Sequence, residues 1–295
     1  MQRRKLADKT ATVVLTMFAA IIVIILTALL GYVLTLGIQQ VNWDFLTSKS
    51  SSFRAGGGIQ DQLFNSFYIL LWTMMFTIPL GLAGGIYMAE YAKDNRITAF
   101  IRVCIETLAS LPSIVLGMFG LLIFVNATGM GYSILAGALT LTIFNLPIMI
   151  RTCENALRAV PLELKEGGLA LGYTHWRTIT TVLLPSAFPS ILTGIILSCG
   201  LVFGEAAALL YSAGMTTPKL DFGNWNPFTS DSPLNIMRPA ETLSVHIWKV
   251  NSEGIIPDLR DVADGGAAVL VTVILIFNIS ARVFGSWLHK KLTAK

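Results

Sequence analysis

Apolar residues along this chain fall into six long runs, separated by segments rich in polar and charged residues. About 20 helical residues cross the roughly 30 Å of bilayer hydrocarbon, and a helix satisfies its own backbone hydrogen bonds where water is absent. Each run therefore predicts a membrane-spanning helix. The predicted spans are 12–38, 64–88, 107–125, 132–150, 183–211 and 266–288. The predicted fold class is an all-α polytopic membrane protein with six transmembrane helices.

The composition agrees with a membrane protein and excludes several other classes. Hydrophobic residues make up 54% of the chain and charged residues only 13%, against about 25% charged in soluble domains. The net charge of +4 is spread over the span ends, so it does not indicate a nucleic-acid partner. The three cysteines and three histidines lack the spacing of a metal site. Membrane lipid is the expected surrounding.

The distribution of lysine and arginine predicts the orientation, because cytoplasmic loops carry an excess of these residues. With the N-terminus inside, 15 of the 21 basic residues lie in cytoplasmic segments. The other six lie outside, four of them in a long loop that has little weight in the rule. We therefore expect a multi-pass protein of the cell membrane with both termini in the cytoplasm.

Three segments follow from these spans. Residues 1–63 hold a cytoplasmic tail, the first span and an outer loop. Residues 64–288 hold five spans, a cytoplasmic loop at 151–182 and an outer loop at 212–264, and 289–295 form a cytoplasmic tail. We expect a short helix at 240–250 within the outer loop, after Pro239.

The cytoplasmic loop contains the most specific pattern, EGGLALGYTHWRTITTVLLP from Glu166 to Pro185. Pro161 suits the first turn of a helix, and Gly172 suits a left-handed exit residue. Small residues between them allow another backbone to approach closely. The pattern resembles the loop of ABC importer permeases that docks a short helix into an ATPase subunit; an ordinary solvated loop is the alternative. The implied coupling residues are Glu163, Glu166, Gly167, Gly168, Ala170, Gly172, Leu184 and Pro185.

Four charged residues are candidates for a solute pathway. Arg151, Glu154 and Arg158 are spaced by three and four, which puts them on one helix face where Glu154 can pair with either arginine. The alternative is a membrane anchor with local pairing. Glu205 lies inside the predicted fifth span, where a carboxylate costs about 2.5–3.5 kcal/mol and should face the bundle or water. A structural hydrogen bond is the alternative role.

Pro112 lies in the predicted third span within the segment LPSIVLGMFG, residues 111–120. A proline inside a helix removes a backbone donor and kinks the helix. Gly117 and Gly120 form a flat strip for close packing. Packing and hinge roles are expected here.

Nearly the full chain resembles the PstA family of phosphate-specific permeases. Beside the cytoplasmic loop, the resemblance rests on residues 111–120, on Arg-Thr-x-Glu-Asn at 151–155 and on Gly-Glu-Ala at 204–206. The chain departs from the family at Leu201, where an arginine is frequent, and at Ala206 and Ala208, where threonine and proline are usual. An altered anion path or a compensating cation on the partner permease is consistent with these departures.

The resemblance implies one subunit of a larger importer of the MetI-like fold. The implied partners are a homologous permease similar to PstC, a PstB-like ATPase dimer that uses ATP and Mg, and a PstS-like phosphate-binding protein. The chain itself has no G-x-x-x-x-G-K-[ST] motif, so we expect no catalytic residue and no bound cofactor. Molybdate or sulfate as cargo, a membrane enzyme, and a non-transport scaffold or sensor are the alternatives. The first of these stays open because few cations line the spans.

Overall fold

The computed structural model describes residues 2–50, 56–253 and 258–293. Within these ranges the regular secondary structure is entirely helical. The helices are α1 (Gln2–Gly37), α2 (Trp43–Thr47), α3 (Gln60–Ile86), α4 (Arg96–Ser110), α5 (Ser113–Gly120), α6 (Ile134–Arg158), α7 (Leu162–Ala170), α8 (His175–Thr178), α9 (Leu184–Gly204), α10 (Ala207–Leu210), α11 (Leu243–Glu253) and α12 (Leu259–Thr293).

Three π-helical turns extend or join these helices. Tyr87–Tyr91 continues α3, Leu121–Ala127 continues α5, and Ile179–Leu183 joins α8 to α9. Because such turns interrupt the regular ladder of hydrogen bonds, they are frequent at functional positions. Two of the three lie at the end of the molecule that carries α7.

Five of the six predicted spans are long apolar helices, which confirms the fold class. They cover Lys9–Gly37, Gln60–Tyr91, Ile134–Arg158, His175–Gly204 and Leu259–Trp287. Most are longer than their apolar runs. Residues 151–158 belong to α6, and residues 175–182 belong to the helix that continues into α9. The connection between these two spans, predicted as a cytoplasmic loop at 151–182, is therefore shorter and covers residues 159–174.

The third predicted span, 107–125, is wrong as a single straight helix. α4 and the helix Ser113–Ala127 meet at a bend of 99°. Leu111 and Pro112 form the bend with extended backbone, at ψ 137° and ψ 138°. Pro112 thus separates two helices, where the sequence predicted only a kink. Asn95 caps the start of α4: its side chain accepts a hydrogen bond from the Thr98 backbone amide.

The fifth predicted span, 183–211, is also corrected at its outer end. α9 stops at Gly204, and Glu205 has extended backbone (φ −72°, ψ 129°). A separate short helix, α10, follows at Ala207–Leu210. Glu205 therefore lies in a break between two helices, and its backbone groups are free to bond outside the regular ladder.

α3 and α6 run in the same direction and form the most extensive helix–helix contact in the described part of the chain. A Cβ atom on Gly81 would overlap Met149, and one on Gly85 would overlap Cys153. The buried core on this side includes Ile86, Met149, Cys153, Leu157 and Ile179. Since glycine lets the two backbones approach at this seam, any larger residue forces them apart. α3 and α6 therefore form one tightly packed pair.

The remaining long spans pack outward from this pair in the order α9, α12 and α1. α9 crosses α6 at Gly194 and Thr152, and α12 packs on α9 through Gly285 and Thr193. α1 is exposed along its membrane-spanning part and meets α12 near Gly37. The short helix predicted at 240–250 is observed three residues later, as α11.

Candidate coupling and pathway sites

The predicted short helix of the cytoplasmic loop is present as α7. Pro161 lies immediately before its first residue, with φ −53°. Gly172 has φ +80°, a conformation that costs residues with a Cβ about 1–2 kcal/mol. The Tyr173 backbone amide then donates to the Gly168 carbonyl across 3.3 Å. The two residues chosen from the sequence thus bracket the helix as expected.

α7 presents an apolar surface to its surroundings. Four leucines on and just after it are exposed, and the charged candidates Glu163 and Glu166 lie on the same exposed helix with Gly167 and Ala170. The exposed leucines are Leu162, Leu164, Leu169 and Leu171. At 3.6 residues per turn, Leu162 and Leu169 share one face of the helix, and Leu164 and Leu171 lie on the opposite face. Exposed leucines on two faces fit a helix that is enclosed by another protein.

Gly168 differs from its neighbours because it is buried within this chain. A Cβ atom on Gly168 would lie 3.0 Å from Thr178 Cγ2, while one on Gly167 would meet nothing within 4 Å. Gly168 therefore seats α7 against α8, and Gly167 is the glycine that leaves room for a partner. The sequence alone gave no basis for this difference.

Leu184 and Pro185 lie at the start of α9, directly after the π-helical turn Ile179–Leu183. Proline has no backbone N–H to place in the ladder. The turn and the proline together leave the helix His175–Gly204 with a locally weakened stretch of hydrogen bonds. The predicted junction thus falls inside the continuous span, about two and a half turns after its start at His175.

Glu90, which was not among the candidates from the sequence, joins α7 to the end of α3. Glu90, in the π-helical turn after α3, has a side chain only 7% exposed. Its Oε2 lies 2.6 Å from Lys165 Nζ of α7 and 3.7 Å from His175 Nε2 of α8. The His175 ring also meets the Tyr91 ring edge-on at 5.0 Å. The signal in the sequence was a lone acidic residue at the end of an apolar run.

Arg151, Glu154 and Arg158 do not form a single network of ion pairs. Glu154 Oε1 accepts a hydrogen bond from Arg102 Nη2 of α4 at 2.7 Å and lies 3.0 Å from Arg158 Nε. Arg151 pairs with Glu106 of α4 instead, at 3.2 Å, with side chains 45% and 64% exposed. Of the two arginines predicted as partners of Glu154, only Arg158 contacts it. Arg102 and Glu106 were missed because they are distant in sequence.

Glu205 caps α10 and bonds to the outer segment. Its Oε1 accepts from the Ala208 amide at 3.1 Å, and its carbonyl accepts from Ser244 Oγ at 2.6 Å. These contacts correspond to the structural hydrogen bond that the sequence analysis gave as the alternative role of Glu205. The carboxylate is nevertheless half-buried and borders an open groove of about 510 Å³, with Leu201, Gly204 and Asn278. No cation lines the groove among the described residues.

A buried polar cluster fixes the outer segment to α3. Arg238 Nη2 donates to Asn65 Oδ1 at 2.8 Å, and burial lowers the pKa of Arg238 to about 10. Glu241 lies 3.1 Å from His246 Nδ1 and 3.4 Å from Lys249 Nζ. Burial alone would raise the pKa of Glu241. The hydrogen bond with His246 and the charges of His246 and Lys249 outweigh burial and bring this pKa below its ordinary value.

Comparison with known proteins identifies the family of this chain. Residues 81–294 match the family of binding-protein-dependent transport system inner membrane components. The chain belongs to this family. A probable ABC transporter permease protein of Bacillus subtilis, YqgI, is 61% identical over 99% of both chains. The phosphate transport system permease protein PstA of Xylella fastidiosa is 34% identical over 83% of this chain and 81% of its own length.

A solved structure agrees with the fold. The MetNI methionine ABC transporter in an inward-facing conformation matches with a TM-score of 0.59, covering 76% of this chain and 94% of its own, at 18% identity. This likeness confirms the MetI-like helical architecture. The chain is therefore a multi-pass inner-membrane permease subunit of an ABC importer, a family without a catalytic site or cofactor of its own. Membership implies an ATPase, a binding protein and a partner permease.

Proposed function

We propose that this permease forms, with a homologous PstC-like permease, the membrane pathway for inorganic phosphate. The observation that carries the proposal is the similarity to PstA over more than four-fifths of the chain, together with the motifs at 111–120, 151–155 and 204–206. A PstB-like ATPase dimer supplies energy from ATP and Mg, and a PstS-like protein delivers phosphate from outside.

α7 is the docking helix in this proposal. Its exposed leucines and acidic residues enter a cleft of the ATPase, and Gly167 and Ala170 allow close approach. Closure of the ATPase dimer on ATP then displaces α7. The displacement reaches α9 through the continuous helix from His175, in which Leu184 and Pro185 mark the weakened stretch.

The pathway candidates contribute unequally in this proposal. Arg151 is the cation best placed to meet an anion, because nearly half of its side chain is exposed and its partner Glu106 is still more exposed. Glu154 and Arg158 position α4 and α6. Glu205 shapes the groove beside Leu201, so the positive charge for phosphate at that depth comes from the partner permease.

Transport by the assembled complex tests the cargo. The permease pair, the ATPase and the binding protein are reconstituted in vesicles, and uptake of labelled phosphate, sulfate and molybdate is compared. We expect ATP-dependent uptake of phosphate alone, and none with an ATPase that cannot hydrolyse ATP. Preferential uptake of sulfate or molybdate would replace phosphate by that anion. Absence of ATP-driven uptake of every solute would favour the scaffold or sensor alternative.

A further inference from the structure

Glu90 makes a contact that links two parts of the chain far apart in sequence. Its carboxylate is nearly enclosed, at 7% exposure, and both cations that approach it come from the cytoplasmic loop. Lys165 belongs to α7, and His175 begins α8. A buried carboxylate is stable only when it is paired, so this geometry holds α7 and α8 to the end of α3.

The backbone turn that carries Glu90 is continuous with α3 and hydrogen-bonded to α6. Glu90 lies in the π-helical turn that continues α3, and Arg158 Nη2 at the end of α6 donates to the Met88 carbonyl in the same turn at 3.1 Å. Gly81 and Gly85 bring the α3 backbone into direct contact with Met149 and Cys153 of α6, where a Cβ atom would overlap them. The Glu90 turn therefore lies where α3 and α6 meet.

Through the backbone, in contrast, α7 leads forward only to α8 and α9. The chain on its other side, residues 159–161, returns directly to α6. α3 is joined to α7 through side chains, and the Lys165–Glu90 pair is the shortest ion pair that does so among the described residues.

We propose that Glu90 is a positioning residue for transport: its ion pair with Lys165 transmits the displacement of α7 to α3, which no short backbone segment joins to α7. This inference rests on the proposed docking of α7 to the ATPase. Loss of the pair lets α7 move with the ATPase and pull α6 through the backbone without carrying α3 along. The predicted phenotype is uncoupling, which a purely structural ion pair would not produce.

The decisive measurement is the amount of phosphate transported per ATP hydrolysed by the assembled complex in vesicles. Glu90→Gln keeps the shape of the side chain and leaves Lys165 free to turn to solvent. We expect this ratio to fall by at least about five-fold, the lower end of usual coupling energies, with ATP hydrolysis retained. Lys165→Met should have the same effect, and the double variant should be no worse than either single one, because both changes remove one contact. Lys165→Arg should retain most of the coupling.

Asp94→Asn is the matched control. Asp94 is an exposed acidic residue four positions beyond Glu90, and no ion pair joins it to α7 or α8 among the described residues. It should leave the ratio unchanged. An unchanged ratio in both Glu90→Gln and Lys165→Met, or additive losses in the double variant, would overturn the proposal. If Glu90→Gln fails to assemble, Lys165→Met and Lys165→Arg decide between the two outcomes.

The same experiment separates this inference from the docking of α7. Gly172→Asp alters the end of α7 without touching the Lys165–Glu90 pair. Uncoupling by Gly172→Asp with normal coupling in Glu90→Gln would remove only the role of Glu90. Normal coupling in Gly172→Asp would remove the docking of α7 itself.

Discussion

Arg102 of α4 donates to Glu154 of α6 across 2.7 Å, so the helix before the bend at Pro112 is fastened to the core by a carboxylate that is 7% exposed. Arg158 shares the same oxygen at 3.0 Å. Two cations on one buried carboxylate explain why Glu154 tolerates its enclosed position. α4 is held in place at a right angle to α5 by this contact.

Glu154→Gln should therefore destabilise the protein. The expected cost is about 1–3 kcal/mol, between exposed and fully buried pairs, because both arginines are partly exposed. Glu106→Gln, at the exposed pair with Arg151, should cost about 0–1 kcal/mol. Thermal unfolding of the purified permease complex in detergent measures both. Equal stability of the two variants would show that the Glu154 contacts do not hold α4.

Arg151→Gln should slow phosphate uptake without lowering stability. Its side chain is nearly half exposed, and its ion-pair partner among the described residues is the exposed carboxylate of Glu106, so it remains available to an anion. Initial uptake rates at matched expression, compared with Arg158→Gln, measure the effect. If the Arg158→Gln variant takes up phosphate more slowly than the Arg151→Gln variant while its stability is normal, the roles of the two arginines are reversed.

The topology predicts which positions an impermeant thiol reagent can reach in intact cells. In a variant without Cys104, Cys153 and Cys199, Asn226→Cys should react because residue 226 lies in the outer loop. Thr174→Cys should react only after the membrane is opened, because it lies between α7 and α8. Labelling of Thr174→Cys in intact cells would invert the orientation and exclude docking of α7 inside.

Gly172 provides a test that separates backbone conformation from charge. Asparagine and aspartate both tolerate positive φ better than other residues, and a Cβ at this position meets nothing within 4 Å. Gly172→Asp should abolish uptake by adding a charge at the docking surface, while membrane insertion stays normal. Gly172→Asn should retain most of the uptake. Similar activity of the two variants would place this residue outside the interface with the ATPase.

The attachment of α11 to α3 should depend on pH. Because the pKa of Glu241 in the folded protein lies below its ordinary value, ionised Glu241 stabilises the fold at any pH above about 4.3, the ordinary value. This stabilisation is lost as the pH falls through the lowered pKa. The protection of the Leu243–Glu253 amides against hydrogen exchange, relative to their intrinsic rate at each pH, should therefore fall only below about pH 4.3. Glu241→Gln should remove this dependence, and faster exchange already at pH 5–6 would contradict the assignment.

The helices that cross the membrane could be predicted because the length of an apolar run directly reflects bilayer thickness. The angle of the bend at Pro112 could not be predicted from the sequence, because the apolar run continues through it. Likewise, residues 207–210 are as apolar as the end of α9, so the break at Glu205 has no counterpart in hydropathy. The ends of α7 were predictable since Pro161 and Gly172 each have one dominant conformational use.

The ion pairs were the least accessible feature. Spacing along a helix predicts contacts three or four residues apart, and it identified Glu154 with Arg158. Arg102, Glu106 and Glu90 contact residues on other helices, and only the packing of α3, α4 and α6 brings those pairs together. For the candidate site, the sequence therefore predicted the helix α7 itself. The ion pairs that connect α7 to the core could be identified only from the structure.

The helix after Pro112 is short for a membrane crossing. Ser113–Ala127 comprises 15 residues, which span about 22 Å at 1.5 Å each, whereas the hydrocarbon layer is about 30 Å thick. The lipid beside this helix must be thinned, or its inner edge must be replaced by protein and water around α4. A polar solute that passes along this helix thus leaves a high-dielectric medium for a shorter distance than the bilayer would otherwise impose.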